Sequence, residues 1–175
     1  MLQKFYNRYL FPKEVADSVF HIDYDRLWHD GIRGLIFDID NTLVTFDIVT
    51  PPMEVTDLLA NLTRKGFVIC LLSNNSERRV KGFSANLDCP HIWRAKKPAL
   101  GGISLAMKYL NLDKKQVAII GDQIFTDCFA GNRFGIRTIL TMPIAKRDEW
   151  TVKLKRLPEK AVLRAYAKKG QNYAD

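Results

Sequence analysis

Apolar residues in this chain fall into two alternating kinds of block. Short blocks rich in apolar residues, at Leu35–Phe37, Phe67–Leu72, Gln116–Ile120 and Ile136–Leu140, are bounded by glycine or polar residues. Runs of that length between turn residues read as strands buried on both faces, the pattern of a parallel sheet. A further short strand is expected within Pro90–Trp93. The intervening stretches carry apolar residues at helical spacing. Asp23 is placed to cap a short helix bearing Leu27 and Trp28 and stopping at Gly31. Thr50 is expected to cap a second helix, with Pro51 and Pro52 in its first turn, Leu58, Leu59 and Leu62 on one face and Gly66 as its stop. Further helices are predicted from Ser76, over Pro98–Leu110 and over Ile124–Arg133, the last ending at Gly135. Strands alternating with helices predict an α/β fold: a mainly parallel five-stranded sheet with helices on both faces, in three layers.

Composition bounds the picture without sharpening it. A chain of 175 residues, 47% hydrophobic and 26% charged, suits one soluble domain with a sizeable core. The three cysteines, Cys70, Cys89 and Cys128, form no CxxC pair and are expected to be structural in a reducing cytosol. The longest apolar run, Phe67–Leu72, is far too short for a bilayer span, and no export signal is read at the N-terminus. The expected location is cytoplasmic. The formal net charge of +8 points to polyanionic partners: nucleic acid, anionic lipid or a phosphorylated substrate.

The ends of the strands carry the chemistry. Leu35-Ile36-Phe37 runs straight into Asp38 and Asp40, whose side chains point the same way if the strand continues. Two like charges at one spot need a cation or a proton to offset them. Thr42 follows, Ser73 ends the next strand, Lys97 precedes Pro98, and Asp122 and Asp127 follow the strand ending at Ile120. Ligands of open α/β sheets lie at the carboxyl ends of the strands, so these groups share one rim. Carboxylates from two strands can hold a hard cation such as Mg²⁺. A hydroxyl and a lysine facing it suit a phosphoryl group, and a carboxylate can accept that group covalently. Lys96 is a rival to Lys97.

In chain order, DIDNT, LLSNN, the lysine before proline in AKKP, and GDQIFTD resemble the four motifs of the haloacid dehalogenase-like (HAD) superfamily of phosphohydrolases over about residues 33–141. The resemblance implies a HAD-like Rossmannoid sandwich with Asp38 as nucleophile and Asp40 as general acid/base. It implies that Ser73 and Lys97, with Thr42 and Asn74, hold the phosphoryl group. Mg²⁺ would be bound by Asp122, the Asp38 carboxylate and the Asp40 main-chain carbonyl, with Asp127 supporting from behind or through water. With an acid at Asp40, two residues after Asp38, the chain resembles the phosphatases of that superfamily rather than its dehalogenases.

The spacing from Asp40 to the helix near Pro51 leaves room for a flap but not for a cap domain, and the segment from Ser73 to Lys97 is equally short. The expected organisation is one domain: an N-terminal extension over 1–32, a catalytic core over 33–141 and a basic extension over 142–175. More closely, SNNSERRV, AKKP, GDQIFTDCFAGNRFG and the flanking segments resemble the bacterial YqeG family, which is related to phosphatidylglycerophosphate phosphatases. That likeness implies a phosphorylated anionic phospholipid as substrate. Nucleic-acid ends, nucleotides, phosphoprotein, a small sugar phosphate and a non-catalytic basic binding module stay open. Peripheral contact with the inner membrane surface is expected from two segments. One is the aromatic N-terminus (Phe5, Tyr6, Tyr9, Phe11, Phe20). The other is the tail carrying Lys153, Lys155, Arg156, Lys160, Arg164, Lys168 and Lys169 against Glu159.

Overall fold

The structure, a computed structural model, describes residues 2–144, 159 and 162–167. A short helix α1 (Leu2–Phe5) continues as a wider turn over Tyr6–Leu10 and leads into strand β1 (Glu14–Ala16). Helix α2 (Tyr24–His29) precedes β2 (Gly34–Phe37), and α3 (Met53–Arg64) precedes β3 (Val68–Leu72). Helix α4 (Glu77–Ser84), β4 (His91–Ile92), α5 (Gly101–Leu110), β5 (Val117–Gly121), α6 (Phe129–Phe134) and β6 (Arg137–Thr141) complete the described core. All pairings are parallel, in the order β1-β6-β5-β2-β3-β4.

The sheet has six strands where five were expected. The extra one, β1, is only Glu14-Val15-Ala16, and it is a strand because Glu14 pairs with Ile139 and Ala16 with Thr141. Three residues carry no periodicity to read; the partner makes the strand. A second correction concerns α3. It begins at Met53 with Pro52 at the capping position (φ −68°, ψ 161°) and no side-chain cap, so Thr50 does not cap it. A residue before proline is driven out of the helical region, which disfavours a helix starting at Pro51. Asp23 does cap α2, accepting from the Arg26 N–H at 2.9 Å, and Ser76 caps α4.

Alternation along each strand sorts the core into layers. Leu35, Phe37, Ile69, Leu71, Ala118 and Ile120 face one side, under Leu27 of α2, Leu59 and Leu62 of α3 and Phe83 of α4. Ile36, Cys70, Leu72, Val117 and Ile119 face the other, under Ile103, Ala106 and Leu110 of α5 and Ala130 of α6. A third cluster joins Leu10 and Phe11 to Ile124, Cys128, Leu140, Val162 and Tyr166. The aromatic N-terminus is turned inward only in part: Phe11 is buried and meets the Tyr166 ring at 5.3 Å, and Tyr9 meets Phe129 at 6.3 Å, while Phe5 and Phe20 are exposed. Asn132 ties this segment down, donating to Tyr9 O and Phe11 O at 3.0 Å each. Every basic tail residue named above except Arg164 lies outside the described residues. Among the described residues no helix is long and apolar enough to cross a membrane.

The strand order reverses between β2 and β5: the chain moves from β2 outward through β3 and β4, then returns to β5 on the other flank. That reversal is where the crossovers diverge and open a crevice. Close packing behind it depends on Gly131, where a methyl group would meet Ile119 Cγ2 at 2.5 Å and Thr138 Cγ2 at 2.6 Å. Gly131→Ala gains about 1 kcal/mol of helix propensity but overpacks two buried branched side chains, at roughly 1–3 kcal/mol. A net loss of stability in urea unfolding is expected; a variant as stable as the parent would contradict this packing.

Candidate active site

Register brings the acidic residues together. Phe37 lies opposite Ile120 in the β2–β5 pair, and the Asp38 N–H donates to Ile120 O at 2.9 Å. The next residues on the two strands therefore leave the sheet side by side, Asp38 from β2 and Asp122 just after β5. The Thr42 hydroxyl sits between them, 3.4 Å from Asp38 Oδ2 and 3.4 Å from Asp122 Oδ1. Asp127 enters from the turn over Ile124–Cys128, and Gly121 makes room for it: a Cβ at that position would lie 2.3 Å from Asp127 Cγ. Oxygens of Asp38, Asp122 and Asp127 lie within 4.8 Å of one another, and all three side chains are buried.

Lys97 is the counterweight. Its Nζ lies 2.6 Å from Asp38 Oδ1, 2.7 Å from Asp127 Oδ1 and 2.8 Å from Leu72 O. The backbone of Lys97 is fixed by Asn74, whose Oδ1 accepts from the Lys97 N–H at 2.6 Å and whose Nδ2 donates to Lys97 O at 3.0 Å. Lys96 is exposed, so the choice between adjacent lysines falls on Lys97. Burial alone would discharge Lys97, but the Asp127 and Asp38 carboxylates outweigh it and hold the ammonium above its ordinary range. Burial pushes Asp38 up to about 7; Lys97 opposes this, while Asp127 and Asp40 add to it. Lys97 stays charged, and the unrelieved repulsion falls on the carboxylates.

Asp40 stands apart from the other three. Its Oδ2 accepts from Asn75 Nδ2 at 3.1 Å and from the Ser73 hydroxyl at 3.5 Å. Its Oδ1 is gripped by Arg79, through Nε at 3.3 Å and Nη2 at 3.0 Å. Arg79 leans on the Phe83 ring at 5.4 Å, so its fork is braced. Ser73 is fully buried and accepts from the Asn75 N–H at 3.0 Å. Sequence reading placed Asp38, Asp40, Thr42, Ser73, Lys97, Asp122 and Asp127 on one rim, and the structure brings them there. The Asn74 side chain is spent on the backbone of Lys97.

Sequence reading missed Arg79, Asn75 and Glu159. Arg79 follows Ser76 by one helical turn, so α4 returns it to the strand end. The pair Arg78-Arg79 gives no sign of which residue turns inward; Arg78 is exposed. Glu159 is nearly buried, and its Oε1 accepts from the N–H groups of Ile124 at 2.8 Å and Phe125 at 3.4 Å. It thus satisfies backbone donors at the start of the turn that carries Asp127. No local pattern announces a partner from so far along the chain.

Comparisons with known proteins place this arrangement. Residues 94–165 match the family described as HAD-hydrolase-like. A HAD family enzyme of Bacteroides thetaiotaomicron, crystallised with magnesium and inorganic phosphate, shares the fold with a TM-score of 0.53 at 16% identity, over 70% of this chain and 99% of that one. The chloroplastic/mitochondrial phosphatidylglycerophosphate phosphatase 1 of Arabidopsis thaliana is 27% identical over 96% of this chain, which spans 51% of that protein's length. A Bacillus subtilis protein named "Probable phosphatase YqeG" is 36% identical over 97% of this chain and 96% of its own. On that full-length likeness and the shared fold, the chain belongs to the YqeG family of HAD-like phosphatases.

Proposed function

We propose that the protein is a Mg²⁺-dependent phosphomonoesterase that works through an aspartyl phosphate and removes the terminal phosphate of an anionic phospholipid, phosphatidylglycerophosphate. The observation that carries the chemistry is the acidic cluster at the switch between β2 and β5. Oxygens of three buried carboxylates lie within 4.8 Å of one another, and two of the three acids also contact the Lys97 ammonium. Crowding like charges in a buried place is costly unless a cation or a proton offsets them, and an all-oxygen donor set suits a hard divalent cation. The residues therefore fit Mg²⁺, held by Asp38, Asp122 and the Asp40 carbonyl, with Asp127 behind. When bound, the ion would offset the negative charge of nucleophile and phosphate so that the two can approach. The substrate reading is supported by the likeness to proteins named phosphatidylglycerophosphate phosphatase and by the net charge of +8.

The chain's own residues perform the rest. An oxygen of Asp38 attacks phosphorus; the bond to the lipid oxygen breaks, and Asp40 supplies the proton that oxygen needs. Ser73 and Lys97 offer a hydroxyl and a positive charge to the transferring phosphoryl oxygens. Water then attacks the phosphorus of the aspartyl phosphate, giving its proton to Asp40, and inorganic phosphate leaves with Asp38 restored. Arg79, Asn75 and Ser73 hold the Asp40 carboxylate at defined points, which limits its freedom to move off line.

Asp38→Asn is expected to reduce turnover to background, and Asp40→Asn to lower kcat by roughly 10²–10⁴-fold, the usual worth of a general acid/base. Wild-type turnover by Asp38→Asn would end the mechanism. Phosphate release should disappear on chelation, return with Mg²⁺ and return poorly with Ca²⁺, whose looser coordination spoils in-line approach. The substrate is tested by comparing phosphatidylglycerophosphate with phosphorylated oligonucleotide ends, nucleotides, phosphopeptides and sugar phosphates. Faster release from any of these than from the lipid would remove the lipid assignment.

Protonation gives an independent check. The Asp38 carboxyl, near 7 in the fold against an ordinary 3.8, favours the folded state while protonated. That contribution is complete below the unfolded value and is lost as pH rises through about 7. Chelated protein should therefore melt at a lower temperature at pH about 8 than at pH about 6. The gap should narrow in Asp38→Asn and on adding Mg²⁺. An equal gap in the variant would show that other groups set it.

A further inference from the structure

We infer that the rim of the site is itself the membrane-contacting surface, and that the segment 45–53 after Asp38 enters the headgroup region of a lipid bilayer. This rests on the lipid reading above. Four of the ten exposed large apolar residues in the described chain lie within this one segment: Phe46, Ile48, Val49 and Met53. Their exposures, 60%, 37%, 64% and 76%, are high for side chains of this kind. A fifth, Ile144, joins them, because its N–H donates to Asn41 O at 3.2 Å. Of the remainder, Leu105 and Tyr109 lie one turn apart on α5, and Val68 opens β3 at the end of the strand away from the rim.

The segment is a built projection. Its base is buried through Leu43 and Val44, and the Asn41 N–H closes it by donating to Val44 O at 2.7 Å. Beyond Val44, Phe46, Ile48, Val49 and Met53 are exposed while Pro51 is buried, and Val49 also approaches α4 at Gly82. Side chains raised singly on a loop suit a fluid, deformable phase better than a fixed complementary surface. The chemistry asks for the same placement. A lipid keeps its acyl chains in the bilayer, and Asp38 is buried at the strand ends with no cap domain among the described residues. The rim must then come down to headgroup depth for the phosphate to reach Asp38, and whatever stands highest on the rim enters first.

Charge around the segment is mixed. Arg78, Lys81, Arg94 and Lys96 are exposed on the segments after β3 and β4, at the same sheet edge, while Asp47, Glu54 and Glu77 are the nearby acids. Glu77 is paired with Lys81 at 2.7 Å. The net charge of +8 brings the molecule to an anionic leaflet, and the apolar segment supplies a hold that salt does not screen.

The test is co-sedimentation of the full chain with vesicles of phosphatidylcholine containing phosphatidylglycerol, at low salt and at about 0.5 M salt, where screening reduces charge attraction to a few Å. Three proteins are compared: wild type, Phe46→Ser with Val49→Ser, and a control, Leu105→Ser with Tyr109→Ser, which removes exposed apolar groups from α5. Wild type and control should keep a bound fraction at high salt, and the rim variant should lose at least ten-fold in partition. Melting temperatures report that each variant is folded. As a second measurement, emission from Phe46→Trp should move to the blue on adding vesicles. Binding by the rim variant equal to wild type, no partition of wild type, or no blue shift overturns the inference. Partition is read without turnover. Hydrolysis of a dispersed short-chain substrate without partition would sink this inference alone; partition without hydrolysis of any lipid phosphate would sink the lipid reading alone.

Discussion

With its Nζ between Asp38 at 2.6 Å and Asp127 at 2.7 Å, and a third contact to Leu72 O at 2.8 Å, Lys97 makes the rest of the rim affordable. Three carboxylates do not sit buried within 4.8 Å of one another without an opposite charge. Much of the local architecture serves the placement of that one ammonium. Asn74 grips its backbone from the end of β3, and β2 and β5 deliver the partners in register. The acidic cluster and the lysine are therefore one electrostatic arrangement.

Most of the fold was legible because buried parallel strands are continuous apolar runs, and those of this chain stand out. The predicted elements from Gly34 to Thr141 appear with boundaries shifted by a few residues. What failed was short or borrowed. Strand β1 exists through its pairing with β6, and the start of α3 is decided by Pro51-Pro52 rather than by Thr50. Site residues at the ends of long runs were legible for the same reason: Asp38, Ser73 and Asp122 follow β2, β3 and β5 directly. Lys97 was legible through its neighbour Pro98 within a motif. Arg79 was not, because its role depends on which side of α4 faces Asp40. Glu159 was not, because its partners are backbone N–H groups 35 and 34 residues earlier.

The pairing of Arg79 with Asp40 sets two carboxylates, two positions apart in sequence, in different electrostatic surroundings. Asp38 points to Lys97 in a closed, dry place; Asp40 points to Arg79 and Asn75 in a partly open one. Two residues of one type can then take unlike parts in a reaction, one as nucleophile and one as proton carrier. The division arises from the strand ending at Phe37. Asp38 is still bonded to β5, while Asp40 has left the sheet and bridges to Val44.

Glu159 has a consequence for how the molecule comes into being. A ribosome makes Asp38, Lys97, Asp122 and Asp127 well before Glu159 emerges, and chains begin to fold from their N-terminal side during synthesis. Until Glu159 arrives, the N–H groups of Ile124 and Phe125, next to the turn carrying Asp127, lack the carboxylate that receives them in the finished protein. The turn that carries Asp127 is thus held by a carboxylate made after every acid and the lysine of the rim.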